Sequence, residues 1–158
     1  MKPRIDLIDR RILSELQLDG RLSIVELANR VHLTKTPCTE RVRRLERAGV
    51  IKGYKAELDP KLLDCGFVIV VQVSLTQTSD NALEKFNEAV LRIPEIRSCY
   101  MLAGQFEYML TVWTSDITHY RNVLGDQIGK LPGVLQTNSF VAMETVKDDR
   151  MVPVNTAI

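Results

Sequence analysis

The sequence predicts an α+β protein: an N-terminal helix-turn-helix module followed by a ferredoxin-like βαββαβ domain. Three observations predict it. Apolar residues recur at helical spacing in three short segments before residue 50. After residue 66, β-branched runs alternate with capped helical segments in the order strand, helix, strand, strand, helix, strand. Charge is also divided unevenly. Residues 1–60 hold 13 Lys and Arg against 9 Asp and Glu, while residues 61–158 hold 8 against 11. The net charge is only +1, so the positive field is local, as expected when one segment has its own polyanionic partner.

The first helix spans residues 5–18, IDLIDRRILSELQL, with Asp6 as its cap. Ile8, Ile12, Leu13 and Leu16 form its apolar stripe, and Asp19-Gly20 marks a turn. Ser23 and Glu26 make a capping box for a second helix that buries Ile24, Leu27, Ala28 and Val31. The short connection His32-Leu33-Thr34 leads to a third. Thr36 is its expected N-cap, with Pro37 next, where a missing N–H costs nothing. Cys38, Val42 and Leu45 form the buried stripe, and Gly49 stops the helix. Thr36, Glu40, Arg43, Arg44 and Arg47 fall on the opposite side. Arg41 lies nearer the stripe, where a carboxylate of the module is an alternative partner to DNA. An arginine face by itself is usually a solvated face. A capped helix before it, a tight connection and the local charge excess make it a candidate recognition helix for the major groove.

Residues 50–58, VIKGYKAEL, read as a short strand from about Tyr54. A connection from Asp59-Pro60 to Cys65-Gly66 marks the boundary. The expected division is a module over 1–52, strand and linker over 53–66, a second domain over 67–147 and a tail over 148–158. The second domain opens with FVIVVQVSL, residues 67–75, a mostly buried strand. Ser79-Asp80 caps a helix carrying Leu83, Phe86, Val90 and Ile93, which Pro94 ends. Strands over 96–103 and 108–114 flank the bend Gly104-Gln105-Phe106-Glu107. Ser115-Asp116 caps a second helix with Tyr120, Leu124, Ile128 and Leu131, and Pro132-Gly133 stops it. The last strand is expected from Val134 to Thr145. Helices cover one face of the sheet; the apolar other face needs a cover, and a second copy of the chain is the simplest one.

Cys38, Cys65 and Cys99 have no metal-ligand spacing, and His32 and His119 stand apart from them. Buried, reduced thiols are expected, with no metal and no cofactor. No Ser/His/Asp or Cys/His set converges and no Gly-rich phosphate loop is present, so an enzyme is not expected. No apolar run approaches the ~20 residues of a membrane span, and the N-terminus is charged, so the expected location is the cytoplasm.

The stretches IDRRILSELQLDGRLSIVELANRV, TPCTERVRRLERAGVIKGYKAELDP and GQFEYMLTV resemble the Lrp/AsnC, or feast/famine, family of bacterial and archaeal transcription regulators, with similarity from about Ile5 to Lys147. The resemblance implies a winged-type helix-turn-helix and a βαββαβ domain of the RAM/AsnC type. It implies dimers joined through the sheets, often assembled into octamers. It also implies a small amino acid, leucine or another, bound by the second domain between dimers. On this resemblance Lys35, Thr36, Thr39 and Glu40 sit where base edges are reached, and Arg43, Arg44 and Arg47 reach phosphates or guanines. A dimer implies half-sites ~34 Å apart, or a multiple of that. The effector site carried over is Gly104, Gln105, Phe106, Glu107 and Tyr108 in the hairpin, with Thr137 and Ser139 on the last strand and Tyr100 nearby. Turn N–H groups and one carboxylate suit a zwitterion. Gln105 stands where the family pattern has an acidic residue, and Glu107 where it has aspartate, which bears on pocket size. The function implied is a sequence-specific DNA-binding transcription regulator that responds to an amino acid. The alternative is an architectural DNA-binding protein that needs no ligand and oligomerises through its second domain.

Overall fold

A computed structural model describes residues 3–149 and 151–154. The chain divides into two compact units, residues 1–57 with 148–158 and residues 58–147.

The first unit is built on three helices, α1 (Leu7–Leu18), α2 (Ile24–Arg30) and α3 (Lys35–Arg47). Asp6 and Asp9 form a reciprocal capping box at the start of α1, and Ser23 and Glu26 form another at α2. Ile12, Leu27, Ala28, Val31, Cys38, Val42 and Leu45 are buried together, with Ile8, Leu13 and Leu16 packed around them. Between α2 and α3, His32 takes a left-handed conformation (φ 57°), and the Leu33 N–H returns to the Ala28 carbonyl at 2.8 Å. That closes the tight turn of the helix-turn-helix.

Three expectations for this region are corrected. The third helix starts a turn-fraction earlier than Thr36: Thr34 is the extended N-cap residue, and Pro37 occupies the third helical position. Proline fits there because the first N–H to find an intrahelical acceptor is that of Cys38, on the Thr34 carbonyl. No strand forms at Tyr54, because no described segment pairs with it; its hydroxyl instead donates to Glu46 at 3.0 Å. The segment from Asp148, expected as a separate tail, groups with the helical unit. Gln17 and Val152 exchange two hydrogen bonds, of 3.0 and 2.7 Å. Residues 150 and 155–158 of that expected tail lie outside the described residues.

The second unit contains β1 (Phe67–Leu75), α4 (Asp80–Val90), β2 (Ile96–Met101), β3 (Tyr108–Thr114), α5 (Ile117–Asp126) and β4 (Val134–Val141). The strands form one antiparallel sheet in the order β2-β3-β1-β4, the order of a ferredoxin-like split unit. β4 is shorter than the Val134–Thr145 run expected, and β2 ends at Met101. The helical stretch after Asp116 breaks after Asp126, and Ile128 is buried from a separate 3-10 turn.

Alternation along β1 sets the layers. Ile69, Val71, Val73 and Leu75 are buried with Tyr108, Leu110 and Val112 of β3, Phe86 and Val90 of α4, and Tyr120 and Val123 of α5. Each such fully buried aliphatic side chain contributes about 1.5–3 kcal/mol. The intervening residues make the other face. Its rows are Tyr100, Met109, Gln72 and Asn138, then Ser98, Thr111, Val70 and Phe140, then Trp113 with Val68. Tyr100 and Phe140 are more than half exposed there. This face is the apolar one that the sequence expected to need a cover.

The thiols differ from the expectation of three buried ones. Cys38 is buried and Cys99 half-buried, but Cys65 is exposed, because it follows the 3-10 turn Lys61–Leu63 rather than entering β1. Burial pushes the Cys38 thiol up and that of Cys99 up to about 11. At neutral pH a thiol reagent should therefore modify Cys65 fast and the other two only on unfolding. Three equally fast thiols in a native titration would contradict this packing.

Candidate nucleic-acid interface and ligand site

The third helix is held by its arginines as well as by its apolar stripe. Asp9 has no exposed surface, yet it carries a carboxylate in the first turn of α1. Arg41 donates to Asp9 at 2.8 Å and to Asp6 at 2.7 Å, and Arg44 donates to the other Asp9 oxygen. Two guanidinium groups thus neutralise one buried carboxylate and fasten α3 to α1. Burial alone would raise the Asp6 pKa, but the Asp9 backbone N–H and the Arg41 guanidinium outweigh it and hold the carboxyl below its ordinary value. The Asp6 and Asp9 hydrogen bonds likewise raise the Arg41 pKa.

This corrects the assignment of Arg44 to a free DNA-facing set. Arg44 is half-exposed, but its guanidinium is drawn back along the helix to Asp9. The sequence offered a signal: Asp6 and Asp9 are spaced i, i+3, so one turn of α1 presents two acids. Of the other assigned residues, Lys35, Thr36, Glu40, Arg43 and Arg47 are exposed. Arg47 Nε donates to the Arg43 carbonyl at 3.3 Å, which lays its side chain along the helix. Thr39 is half-buried, and its hydroxyl donates to the Lys35 carbonyl at 2.8 Å. Among the described residues, the cations of α3 that pair with no carboxylate are Lys35, Arg43 and Arg47.

In the second unit the hairpin between β2 and β3 is tied down by Glu107. Its N–H donates to the Val73 carbonyl at 3.1 Å, and its carboxylate accepts from the Leu75 N–H at 2.8 Å. Thr137 pairs with Val73 from the opposite side, so Glu107 and Thr137 flank one end of β1. Gly104 and Gln105 are exposed at the hairpin tip, and Phe106 is half-buried.

Three assigned ligand residues do not join that group. Tyr100 pairs with Met109 and points to the open face of the sheet, whereas Tyr108, Thr137 and Ser139 point to the helix side. Side chains alternate along a strand, so Tyr100 cannot reach the hairpin group within its own chain. Tyr108 is buried, its ring 4.3 Å from that of Phe86. The Ser139 hydroxyl is occupied by Tyr120 of α5. Among the described residues no group of His, Cys, Asp and Glu is arranged to hold a metal ion.

A helix-turn-helix whose third helix exposes cations, carried with a ferredoxin-like unit that leaves one sheet face open, defines a DNA-binding regulator with an appended second domain. A winged helix-turn-helix DNA-binding model matches residues 5–52, and the Lrp/AsnC ligand binding domain matches residues 68–152. The leucine-responsive regulatory protein of Escherichia coli K12 is 45% identical over 152 residues, covering 96% of this chain and 93% of that one. A transcriptional regulator of Neisseria meningitidis, solved with L-Met, superposes with a TM-score of 0.89 at 32% identity, covering 96% of this chain and 98% of that one. The feast or famine regulatory protein of M. tuberculosis, complexed with L-methionine, gives a TM-score of 0.81 at 31% identity, covering 94% and 99%. The chain belongs to the Lrp/AsnC family of transcriptional regulators, a family of regulators rather than enzymes. No helix among the described residues is long and apolar enough to cross a membrane.

The two classes of arginine should separate experimentally. Arg41→Ala leaves the buried Asp9 with one guanidinium instead of two and should cost about 1–3 kcal/mol in denaturant unfolding. Arg43→Ala should change stability by less than about 0.5 kcal/mol. Because the folded-state pKa of Asp6 is lowered, its stabilising contribution is full above the ordinary value of 3.8 and is lost as pH falls through the lowered one. The melting temperature of wild type should thus fall more steeply below about pH 4 than that of Asp6→Asn. Parallel acid profiles would remove Asp6 from the account.

Proposed function

We propose that this protein is a sequence-specific DNA-binding transcription regulator whose operator binding responds to a small amino acid. The observation that carries the DNA half is the sorting of the arginines. Arg41 and Arg44 fasten α3 to α1, which leaves Lys35, Thr36, Glu40, Arg43 and Arg47 on the outward side of a rigidly held helix. In this reading α3 enters the major groove, its N-terminal residues meet base edges, and Arg43 and Arg47 meet phosphates. Such a protein works in the cytoplasm, where its DNA is.

The ligand half rests on family membership and on the hairpin. Two relatives carry L-methionine and another is named leucine-responsive, so an amino acid is the class of effector to test. The candidate site is Gly104, Gln105, Phe106 and Glu107, with Thr137 across β1. Glu107 keeps one carboxylate oxygen for the ligand ammonium while the other holds Leu75. The open sheet face, with Val70, Tyr100, Met109, Trp113 and Phe140, seats a second copy of the chain. Dimers then assemble further, up to the octamer, and bring several α3 helices to one DNA. Ligand acts by favouring one assembly over another, since a ligand indifferent to assembly shifts nothing.

Arg43→Ala together with Arg47→Ala should weaken operator binding by orders of magnitude and lower the salt slope by about 2, with oligomer size unchanged. A slope equal to that of wild type would remove these residues from the phosphates. A thermal-shift and calorimetric panel of the common amino acids should give at least one saturable hit that Glu107→Ala abolishes. No hit for any of them would favour the architectural reading.

A further inference from the structure

One side chain clips the C-terminal segment to the helical unit. Gln17, half-buried in the last turn of α1, donates from Nε2 to the Val152 carbonyl at 3.0 Å. Its Oε1 accepts from the Val152 N–H at 2.7 Å. A planar carboxamide carries a donor and an acceptor side by side, so it pairs Val152 as a residue of a neighbouring strand would. The segment is suited to this. Val152 precedes Pro153, which confines it to the extended region, where its N–H and carbonyl point to one side. Just before it, the Met151 N–H closes a local turn on Asp149 Oδ1 at 2.9 Å.

Two features make this more than a tied-down chain end. First, α1 carries both the clip and the seat of α3. Asp6 and Asp9 at its start hold Arg41 and Arg44, and Gln17 lies eight residues, or ~12 Å of helix, beyond Asp9. Second, the segment comes directly from the other unit. β4, which carries Thr137 of the candidate ligand group, ends at Val141, and the Ala142 N–H still donates to the Val68 carbonyl at 2.9 Å. From Asp148 onward the chain groups with the helices, so it passes between the units twice, after Glu57 and after Lys147. The hold is also light. Val152 is 66% exposed and Met151 48%, so little apolar burial backs the two hydrogen bonds, and such contacts open locally well before the fold does.

We propose that the segment carrying Val152 is a releasable strap through which the second unit acts on the DNA-binding unit. Closed on Gln17, the strap ties the end of β4 to α1 and so to the helix on which α3 is seated. Open, it leaves the helical unit joined to the second unit only through the connection after Glu57. An amino acid bound beside β4 biases this two-state element, because it favours one position of the strap over the other. The strap's role rests on the proposed response to an amino acid and names the segment that carries it.

The test uses two full-length variants. Gln17→Ala removes the clip from the α1 side, and Val152→Pro removes the donating N–H from the strap side. In hydrogen exchange followed by mass spectrometry, the peptide around Val152 should be protected in wild type and exchange roughly fivefold faster or more in either variant. Far-UV circular dichroism should not change. Operator affinity without amino acid should stay within about threefold of wild type. The factor by which L-leucine or L-methionine changes that affinity should fall toward one. The double variant should behave like either single one, because both remove the same contact. Exchange at the unfolded-chain rate in wild type would show that no clip forms, and a response undiminished in both variants would overturn the coupling. A wild type whose operator binding ignores every common amino acid is a different outcome: it overturns the amino-acid reading and the strap's role with it.

Discussion

The two-residue period of β1 is the constraint on which the second unit depends. One set of its side chains, from Ile69 to Leu75, goes under α4 and α5; the other, from Val68 to Ser74, goes to the open face. Because β1 is paired on both sides, its register passes to β3 and β4, and through β3 to β2. A one-residue slip would expose four buried aliphatic side chains at once. The same register decides which side chains share a face: it sends Tyr100 to one side of the sheet and Tyr108 and Thr137 to the other. It also brings Glu107 and Thr137 to either flank of Val73.

In the first unit a single buried charge has a comparable role. Asp9 has no solvent of its own, so its carboxylate must be met inside the unit, and the third helix meets it with Arg41 and Arg44. The geometry fixes how α3 lies on α1 and therefore which of its residues face outward. Four arginines within seven residues looked alike in composition. Packing divides them into a pair that holds the helix and a pair that projects from it. A recognition helix needs both, because side chains on a loosely seated helix cannot keep register with base edges.

The two units also divide their surfaces differently. α3 carries cations on its outward side, while residues 61–158 hold 8 Lys and Arg against 11 Asp and Glu. Net charge near neutrality conceals this, since the two fields cancel in the sum but not in space.

Much of the fold was legible in the sequence because its signals are local. Asp6 and the Ser23–Glu26 box cap where expected, and the stripe Cys38, Val42 and Leu45 is buried. The run FVIVVQVSL spans residues 67–75, and the βαββαβ order follows from caps, prolines and β-branched runs within reach of one another along the chain. What failed depended on partners far away in sequence. A strand at Tyr54 needs a ladder neighbour, and none among the described residues supplies one. The exposure of Cys65 depends on where the connection leaves the sheet. The role of Arg44 depends on Asp9, 35 residues earlier, and strand adjacency puts Tyr100 near the hairpin although pleating sends it to the opposite face. Periodicity and capping, acting within a turn or a strand, determined the elements; only the tertiary structure decided which charges are spent inside, because burial of a carboxylate is settled by what packs around it.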